Sequence, residues 1–152
     1  MISNFNTDSK NPSQNQIKLI LKLFNSKKFT EVKKEITKQI IKNPNSYVLF
    51  NILGGVFSEQ KKFLEAIENY KKALKLNPNY AEAFNNFGIA LHKLNRMDEA
   101  IINYKKAINL KKDFFIAYNN LGNAMNETGR ARESLQYYKE AIKKLWYIRI
   151  NG

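Results

Sequence analysis

Few residues of this chain could carry reactive chemistry, and the imidazole of His92 is the most obvious candidate. His92 is the only histidine, and the 152 residues include no Cys. Nucleophilic triads, thiolate zinc sites and metal sites with two imidazoles therefore lack their reactive groups. Gly54-Gly55 is not a phosphate loop, because no Lys-Ser or Lys-Thr pair follows it. We expect a protein that is not an enzyme and needs neither metal nor cofactor, and we interpret His92 as a solvated side chain.

Asparagine amides offer a different chemistry, because they recur at a fixed spacing. The pair Asn85-Asn86 returns as Asn119-Asn120, at the same interval that separates Gly88 from Gly122. An Asn side chain carries both donors and an acceptor, so it can pair with a peptide bond without reading side-chain identity. The chemistry that these residues suggest is recognition of a polypeptide backbone.

The same interval runs through most of the chain and predicts its helices. Gly54, Gly88 and Gly122 are evenly spaced, and a small residue and then a tyrosine follow each at fixed distances. The repeat period is thus about 34 residues, which is typical of stacked helix pairs. Within each period, apolar residues recur at spacings of three and four in two stretches, which predicts two amphipathic helices. We therefore expect an all-α fold of four helix pairs, at residues 13–46, 47–80, 81–114 and 115–148.

The three glycines lie inside helices, where Gly costs about 1 kcal/mol relative to Ala. Because this unfavourable residue recurs at the equivalent position of three units, we infer that two helices approach each other closely there. We expect each glycine to face the small residue of its unit, in the pairs Gly54 with Ala66, Gly88 with Ala100 and Gly122 with Ser134.

The second unit resembles the tetratricopeptide repeat family at all eight signature positions of that family. These positions hold Phe50, Leu53, Gly54, Phe57, Ala66, Tyr70, Ala73 and Pro78. The third and fourth units resemble it with a few variant positions, and residues 13–46 are a degenerate first unit. The resemblance implies an α-solenoid, a right-handed superhelix in which the first helix of each unit lines a concave groove. Such arrays bind peptides or protein segments and rarely catalyse reactions.

The groove implied by this resemblance is lined by side chains of the first helices. We predict that the contact residues are Asn51, Asn85, Asn86, Ile89, Asn119, Asn120, Asn123 and Asn126. The pattern is similar to the groove of O-linked N-acetylglucosamine transferases, where the Asn two residues before the Gly contacts the bound chain. Asn86 and Asn120 match that position. The alternative is that these amides are only part of an Asn-rich repeat. Our main hypothesis is a non-enzymatic scaffold that binds an extended protein segment.

A second hypothesis follows from the units themselves, which resemble bacterial arrays that precede glycosyltransferase or sulfotransferase domains. This chain would then present substrate to a catalytic domain that it does not contain. A carboxylate clamp of the chaperone-binding type is disfavoured, because only Asn86 agrees with its five positions and the cations are missing.

A third hypothesis comes from the formal net charge of +13. Lysines on the second helices form a ridge on the predicted convex side, which could attract nucleic acid or anionic membrane. We favour a solvated face partly compensated by pairs such as Glu68 with Lys72, because no stacked aromatic or Arg-rich element accompanies the lysines. The sequence has no candidate membrane span and no signal-peptide pattern, which predicts a cytoplasmic protein.

The two ends of the chain differ in character. Residues 1–12 are polar, and we expect them to be mobile up to Pro12, which would open the first helix. The apolar C-terminal segment, which contains Leu145, Trp146, Tyr147 and Ile148, has three interpretations. It extends the last helix and folds Trp146 back over the core, it mediates self-association, or the chain is a fragment of a longer protein.

Overall fold

The computed structural model describes residues 11–151, and within this range it contains eight α-helices and no strand. The helices are α1 (Gln14–Asn25), α2 (Phe29–Lys42), α3 (Tyr47–Glu59), α4 (Phe63–Leu76), α5 (Ala81–Lys93), α6 (Met97–Leu110), α7 (Phe115–Glu127) and α8 (Ala131–Asn151). Consecutive helices pair as hairpins, and each hairpin packs on the next. The prediction of an all-α solenoid is therefore confirmed. The predicted mobile segment lies largely in residues 1–10, outside the described range.

The first helix begins with a capping box rather than with Pro12. Ser13 Oγ accepts a hydrogen bond from the backbone N–H of Gln16, and the Gln16 side chain accepts one from the N–H of Ser13. Pro12 lies buried just before this cap. The prediction that Pro12 opens the helix is therefore wrong by two residues, because the Ser13 side chain satisfies the first free N–H groups.

The turn inside each hairpin has one residue in the left-handed region, at the same phase of the repeat. These residues are Lys27 (φ 55°), Lys61 (φ 58°), Asn95 (φ 59°) and Gly129 (φ 78°). In the second unit, Lys62 N–H donates to Phe57 C=O and Lys61 N–H donates to Ser58 C=O, both at 2.9 Å. This pair of bonds is a Schellman motif, which ends the first helix and reverses the chain.

In the second, third and fourth helix pairs a tyrosine ring of the second helix lies against a glycine of the first helix. A Cβ atom on Gly54 would lie 2.5 Å from Tyr70 Cε1, and one on Gly88 would lie 2.6 Å from Tyr104 Cε1. Gly122 stands in the same relation to Tyr138. The expected pairing of each glycine with a small residue therefore needs correction, because the nearest atoms belong to the tyrosine one helical turn further on. Ala66, Ala100 and Ser134 are themselves buried.

The contacts between units place the odd-numbered helices on the inner side of the array. Helix α3 contacts α5, and α5 contacts α7. No two even-numbered helices of the described range pack against each other to a comparable extent. The array therefore curves with α1, α3, α5 and α7 on its concave face and α2, α4, α6 and α8 on its convex face.

Two lysines of the convex face lie over aromatic rings of their own units. Lys72 Nζ lies 5.9 Å from the centre of the Phe50 ring, and Lys106 Nζ lies 5.4 Å from that of Phe84. Glu68 pairs with Lys71 at 3.1 Å. The expected pair of Glu68 with Lys72 is therefore wrong, because Lys72 turns towards the aromatic ring.

The C-terminal segment continues α8 as a regular helix as far as Asn151. Trp146 is 60% exposed, so it does not fold back over the core. The first of the three interpretations is therefore half right: the segment extends the last helix, but it leaves its apolar side chains uncovered. Among the helices of residues 11–151, none combines the length and the apolar character that a membrane crossing requires.

Candidate functional site

A chain of hydrogen-bonded amides crosses the concave face from helix to helix. Asn86 Nδ2 donates to Asn51 Oδ1 at 3.1 Å and thereby links α5 to α3. Asn120 Nδ2 donates to Asn85 Oδ1 at 2.9 Å and links α7 to α5. A longer bond of 3.5 Å from Asn85 Nδ2 to Asn86 Oδ1 joins the two links, and Asn51 Nδ2 donates to Tyr80 Oη at 3.3 Å. The asparagines therefore hold the odd-numbered helices together.

Two of the predicted contact residues act as supports in this chain. Asn51 is 9% exposed and Asn85 is 3% exposed. In each of the two side chains the Nδ2 atom donates one hydrogen bond and the Oδ1 atom accepts one. Buried amides need such partners, because an unpaired polar group in the interior is costly. The expectation that Asn51 and Asn85 offer their amides to a ligand is therefore corrected: they orient Asn86 and Asn120, which are only partly buried.

The remaining predicted asparagines lie in different places on α7. Asn123 is partly buried, and its Oδ1 accepts a hydrogen bond of 2.8 Å from Tyr138 Oη. Asn126 is exposed in the last turn. Asn119 is exposed and lines a hollow at the end of the stack together with Ile142 of α8, and its role as a contact residue stays a prediction. Asn119 stands one repeat period after Asn85, and within residues 11–151 no helix lies against it as α7 lies against Asn85.

An apolar cavity opens on the concave face between α1, α3 and α5. It consists of two hollows that share Phe24, Gly55 and Asn86. Its apolar walls are formed by Leu21, Phe24, Ile52, Gly55 and Ile89. Asn86, Ser58 and Glu59 add polar groups at its edge. We call this space the groove cavity.

The groove cavity includes three of the predicted contact residues, Asn51, Asn86 and Ile89, and two residues that were missed. Ile89 was expected at the groove, and it lines the larger hollow. Leu21 and Phe24 were not expected, because the first unit was interpreted mainly as a cap. The signal was nevertheless present, since Leu21 stands one repeat period before Gly55 and Phe24 stands one period before Ser58.

His92 also contributes a link between odd-numbered helices. Its Nε2 lies 2.9 Å from Glu127 Oε2, and its side chain is largely covered. His92 was interpreted as a solvated side chain, and the structure adds that it pairs with Glu127 of the next unit. Its partner lies one residue more than a repeat period further along the chain, as in the pairs Asn51 with Asn86 and Asn85 with Asn120. All three pairs therefore use the same crossing of neighbouring units.

The phenols near the site are held in their neutral form. Burial raises the pKa of Tyr70 to about 12, although a hydrogen bond with Ser58 opposes this shift. Burial also raises the pKa of Tyr80 to about 12, and the nearby Glu82 carboxylate adds to the effect. Near neutral pH these phenols are protonated, so they can donate and accept hydrogen bonds but cannot serve as bases. Within residues 11–151, no three His, Asp or Glu side chains are grouped as a metal site requires.

Comparisons with known families identify the repeat in the sequence. A family model described as TPR repeat matches residues 54–95 and 90–129. A second model, described as tetratricopeptide repeat, matches residues 116–145. Together the matches span residues 54–145, which include α4, α5, α6 and α7 in full. No curated protein sequence matches the chain.

Solved structures of MamA are similar to the whole stack of helices. One crystal structure of MamA has a TM-score of 0.78 at 25% identity, over 93% of this chain and 82% of that one. Another has a TM-score of 0.74 at 26% identity, over 85% of this chain and 70% of that one. MamA from Desulfovibrio magneticus RS-1, beginning at its residue 41, has a TM-score of 0.75 at 15% identity, over 92% and 78% of the two chains. The last similarity concerns the fold alone.

Proposed function

This chain belongs to the tetratricopeptide repeat family, and on that premise we propose that it is a non-catalytic scaffold that binds an extended protein segment in its concave groove. The observation that supports this proposal most is the groove cavity, because it joins an apolar pocket to the amide of Asn86. A peptide presents the same combination, an apolar side chain beside a polar backbone. The proposal places the scaffold in the cytoplasm, which cell fractionation would test.

Binding would use two kinds of contact. An apolar side chain of the ligand would enter the groove cavity, and full burial of such a side chain contributes about 1.5–3 kcal/mol. The ligand backbone would pair with Asn86 and Asn120, whose amides keep unused bonding capacity, since each Nδ2 has two hydrogens and donates only one of them in the chain of amides. Because Asn51 and Asn85 already fix these amides, little side-chain entropy would be lost on binding.

The proposal can be tested with peptides selected from a random displayed library on the wild-type protein. In a fluorescence-polarisation assay, we expect the double variant Asn86→Ala with Asn120→Ala to bind the selected peptides about tenfold more weakly. Gly55→Leu should also block binding, because a larger side chain at this position fills the groove cavity. Asn109→Ala, an exposed Asn on α6, is the matched control and should bind as the wild type does.

Circular dichroism would establish that each variant folds. If the folded Asn double variant and the folded Gly55→Leu variant both bind with wild-type affinity, the groove is not the binding site and the proposal is wrong. Gly55→Leu separates the two roles of the asparagines, since it fills the cavity without removing an amide from the chain of hydrogen bonds.

The other hypotheses have less support from specific contacts. Lys72 and Lys106 lie over aromatic rings of their own units, so part of the basic ridge already packs on the protein. We therefore do not propose nucleic acid or membrane as the partner. A role as the substrate-presenting segment of a transferase would use the same groove, and the same variants would test it.

A second contact surface is proposed at the C-terminal end. Leu145, Trp146, Tyr147 and Ile148 are all exposed on α8, which supports a contact of this segment with another polypeptide. Self-association is one such contact, and sedimentation of the protein at increasing concentration would detect it.

A further inference from the structure

The fourth unit leaves open the face that the third unit buries against the next helix. Ile101 and Ile108 of α6 are 4% and 8% exposed. The residues that stand one repeat period later, Leu135 and Ile142 of α8, are each 59% exposed. The two pairs of residues occupy equivalent positions in successive units of one chain. The difference arises because α7 covers this face of α6, whereas no described helix covers the equivalent face of α8.

This open surface is continuous with the end of α7. Side chains from both helices line one hollow there: Phe115, Ile116, Asn119, Ala141, Ile142 and Leu145. We call these residues, together with Leu135, the end face. The amide of Asn119 makes no hydrogen bond within residues 11–151, whereas the corresponding amide of Asn85 receives one from Asn120.

The repeat itself indicates what kind of element fits this face. Helices α5 and α7 cover the second and third units with the same pattern, Ala-x-x-Asn-(Phe or Leu)-x-x-Ala. The pattern is filled by Ala83, Asn86, Phe87 and Ala90 in α5, and by Ala117, Asn120, Leu121 and Ala124 in α7. All four alanines are fully buried, and each Asn donates to an Asn of the preceding unit. The small residues allow close approach, and the Asn sets the register.

The first described helix of a second copy, α1, does not fit this pattern. At the same phase, α1 carries Lys18 in place of the Asn and Lys22 in place of the second Ala. Both lysines are exposed. Placing Lys22 in a slot that fits alanine would bury a charge without a partner. Head-to-tail stacking of copies is therefore disfavoured.

The surroundings of the end face are positively charged. Lys112, Lys143 and Lys144 line one adjoining hollow with Tyr147 and a single carboxylate, that of Asp113, and Arg149 lines another hollow, so cations outnumber anions around the face. Two copies that met end to end would bring these cations together, which is unfavourable. A partner with acidic residues beside its apolar stripe would instead gain from complementary charge.

We propose that the end face binds an amphipathic helix of a different protein, with small residues and an Asn in the pattern of α5 and α7 and with acidic flanks. The helix would lie across α7 and α8 as α7 lies across α5 and α6, and its Asn would donate to Asn119 Oδ1. This site is separate from the groove cavity, so it does not depend on the proposed function of the groove.

The probe for this site is a synthetic peptide with the sequence of residues 115–127, preceded by glutamates and stapled on its outer face to stabilise the helix. Fluorescence polarisation with the full chain should detect binding. Ile142→Asp should weaken it at least tenfold by placing a charge in the apolar hollow, and Asn119→Ala should weaken it about fivefold. The matched control is Ile102→Asp on α6, because Ile102 is also exposed (52%) but its repeat position is not covered by a neighbouring helix.

The peptide has its own control, in which lysines replace the two residues that correspond to Asn120 and Ala124. This version should not bind, because it copies the charged pattern of α1, where Lys18 and Lys22 stand at these positions. The proposal is wrong if the unmodified peptide does not bind, or if it binds equally to the Ile142→Asp protein. It is also wrong if sedimentation shows a dimer that Ile142→Asp converts to a monomer, since a second copy would then occupy the end face.

Discussion

At the scale of single residues, the glycine at the middle of each first helix matters because of the ring that it accommodates. The buried rings of Tyr70 and Tyr104 occupy the space where a Cβ of Gly54 or Gly88 would be. Interiors are packed closely enough that such an atom displaces its neighbour. The glycine and the tyrosine therefore form one unit of packing between the two helices of a hairpin.

Gly88→Ala should lower the free energy of unfolding by about 1–3 kcal/mol, even though Ala favours helix by about 1 kcal/mol. The reason is that the new Cβ would lie 2.6 Å from Tyr104 Cε1, and this ring is buried. Urea denaturation followed by circular dichroism would measure the change.

Gly55→Ala is the matched control for this prediction. It is the same substitution in α3 of the second unit, one residue after Gly54, which is the residue equivalent to Gly88. A Cβ on Gly55 would lie 3.6 Å from the Phe24 ring, which is an ordinary contact. This variant should be about as stable as the wild type or up to about 1 kcal/mol more stable. Equal effects of the two substitutions would contradict the role assigned to the tyrosine ring.

At the scale of the helices, the turn within each hairpin imposes the same backbone conformation on four different residues. Lys27, Lys61 and Asn95 adopt positive φ angles, and only the fourth unit uses glycine, at Gly129. A left-handed conformation costs about 1–2 kcal/mol for a residue with a Cβ. The Schellman bonds hold the lysines in this conformation despite that cost.

Lys61→Gly should therefore raise the free energy of unfolding by about 0.5–1 kcal/mol, as the lower strain exceeds the greater chain entropy of Gly in the unfolded state. Gly129→Ala should lower it by about 1 kcal/mol, because a Cβ would enter a residue with φ of 78°. Thermal and urea denaturation would measure both changes.

Lys62→Gly provides the control at the neighbouring residue, where φ is −91°. Glycine gains nothing there and adds entropy to the unfolded chain, so this variant should lose stability. The interpretation would not survive if Lys62→Gly and Lys61→Gly stabilised the protein to the same degree.

At the scale of the whole molecule, the buried tyrosines link stability to alkaline pH. Burial raises the pKa of Tyr70 and Tyr80 to about 12, and it raises the pKa of Tyr104 as well. In the unfolded chain a tyrosine ionises near pH 10. Because the folded state holds these protons more tightly, the stabilising contribution is complete below about pH 10 and decreases as pH rises towards 12.

The free energy of unfolding should therefore fall between about pH 10 and pH 12, by about 1.4 kcal/mol per pH unit for each tyrosine that contributes. Urea denaturation at a series of alkaline pH values would measure the slope. In Tyr70→Phe the slope should be shallower by one such contribution. A slope as steep in Tyr70→Phe as in the wild type would show that Tyr70 is not part of this linkage.

Curvature and the open end are also properties of the whole molecule, and they determine where partners can bind. The concave face presents the groove cavity, and the end face presents an apolar surface surrounded by cations. The two surfaces lie on different parts of the array, so the two proposed partners would not compete for one site.

The sequence by itself determined the repeat period, the helix pairs and the positions of the glycines. This was possible because amphipathic spacing and helix-breaking residues act over a few neighbouring positions along the chain. It also placed Ile89, Asn86 and Asn120 on the helices that line the groove. The repeat phase contained Leu21 and Phe24 as well, once the first unit is compared with the second.

Only the tertiary structure decided which amides support the groove and which remain free to bind. Asn85 and Asn86 are adjacent and of the same type, yet one is buried and the other is partly open. Their roles depend on how α5 crosses α3 and α7, because this crossing joins Asn86 to Asn51 rather than to Ile52, the residue at its own repeat position. The same crossing joins His92 to Glu127 and leaves Asn119 without a partner in the described chain. The packing of whole helices determines which residues of neighbouring units meet. The spacing of residues within one unit does not specify this packing.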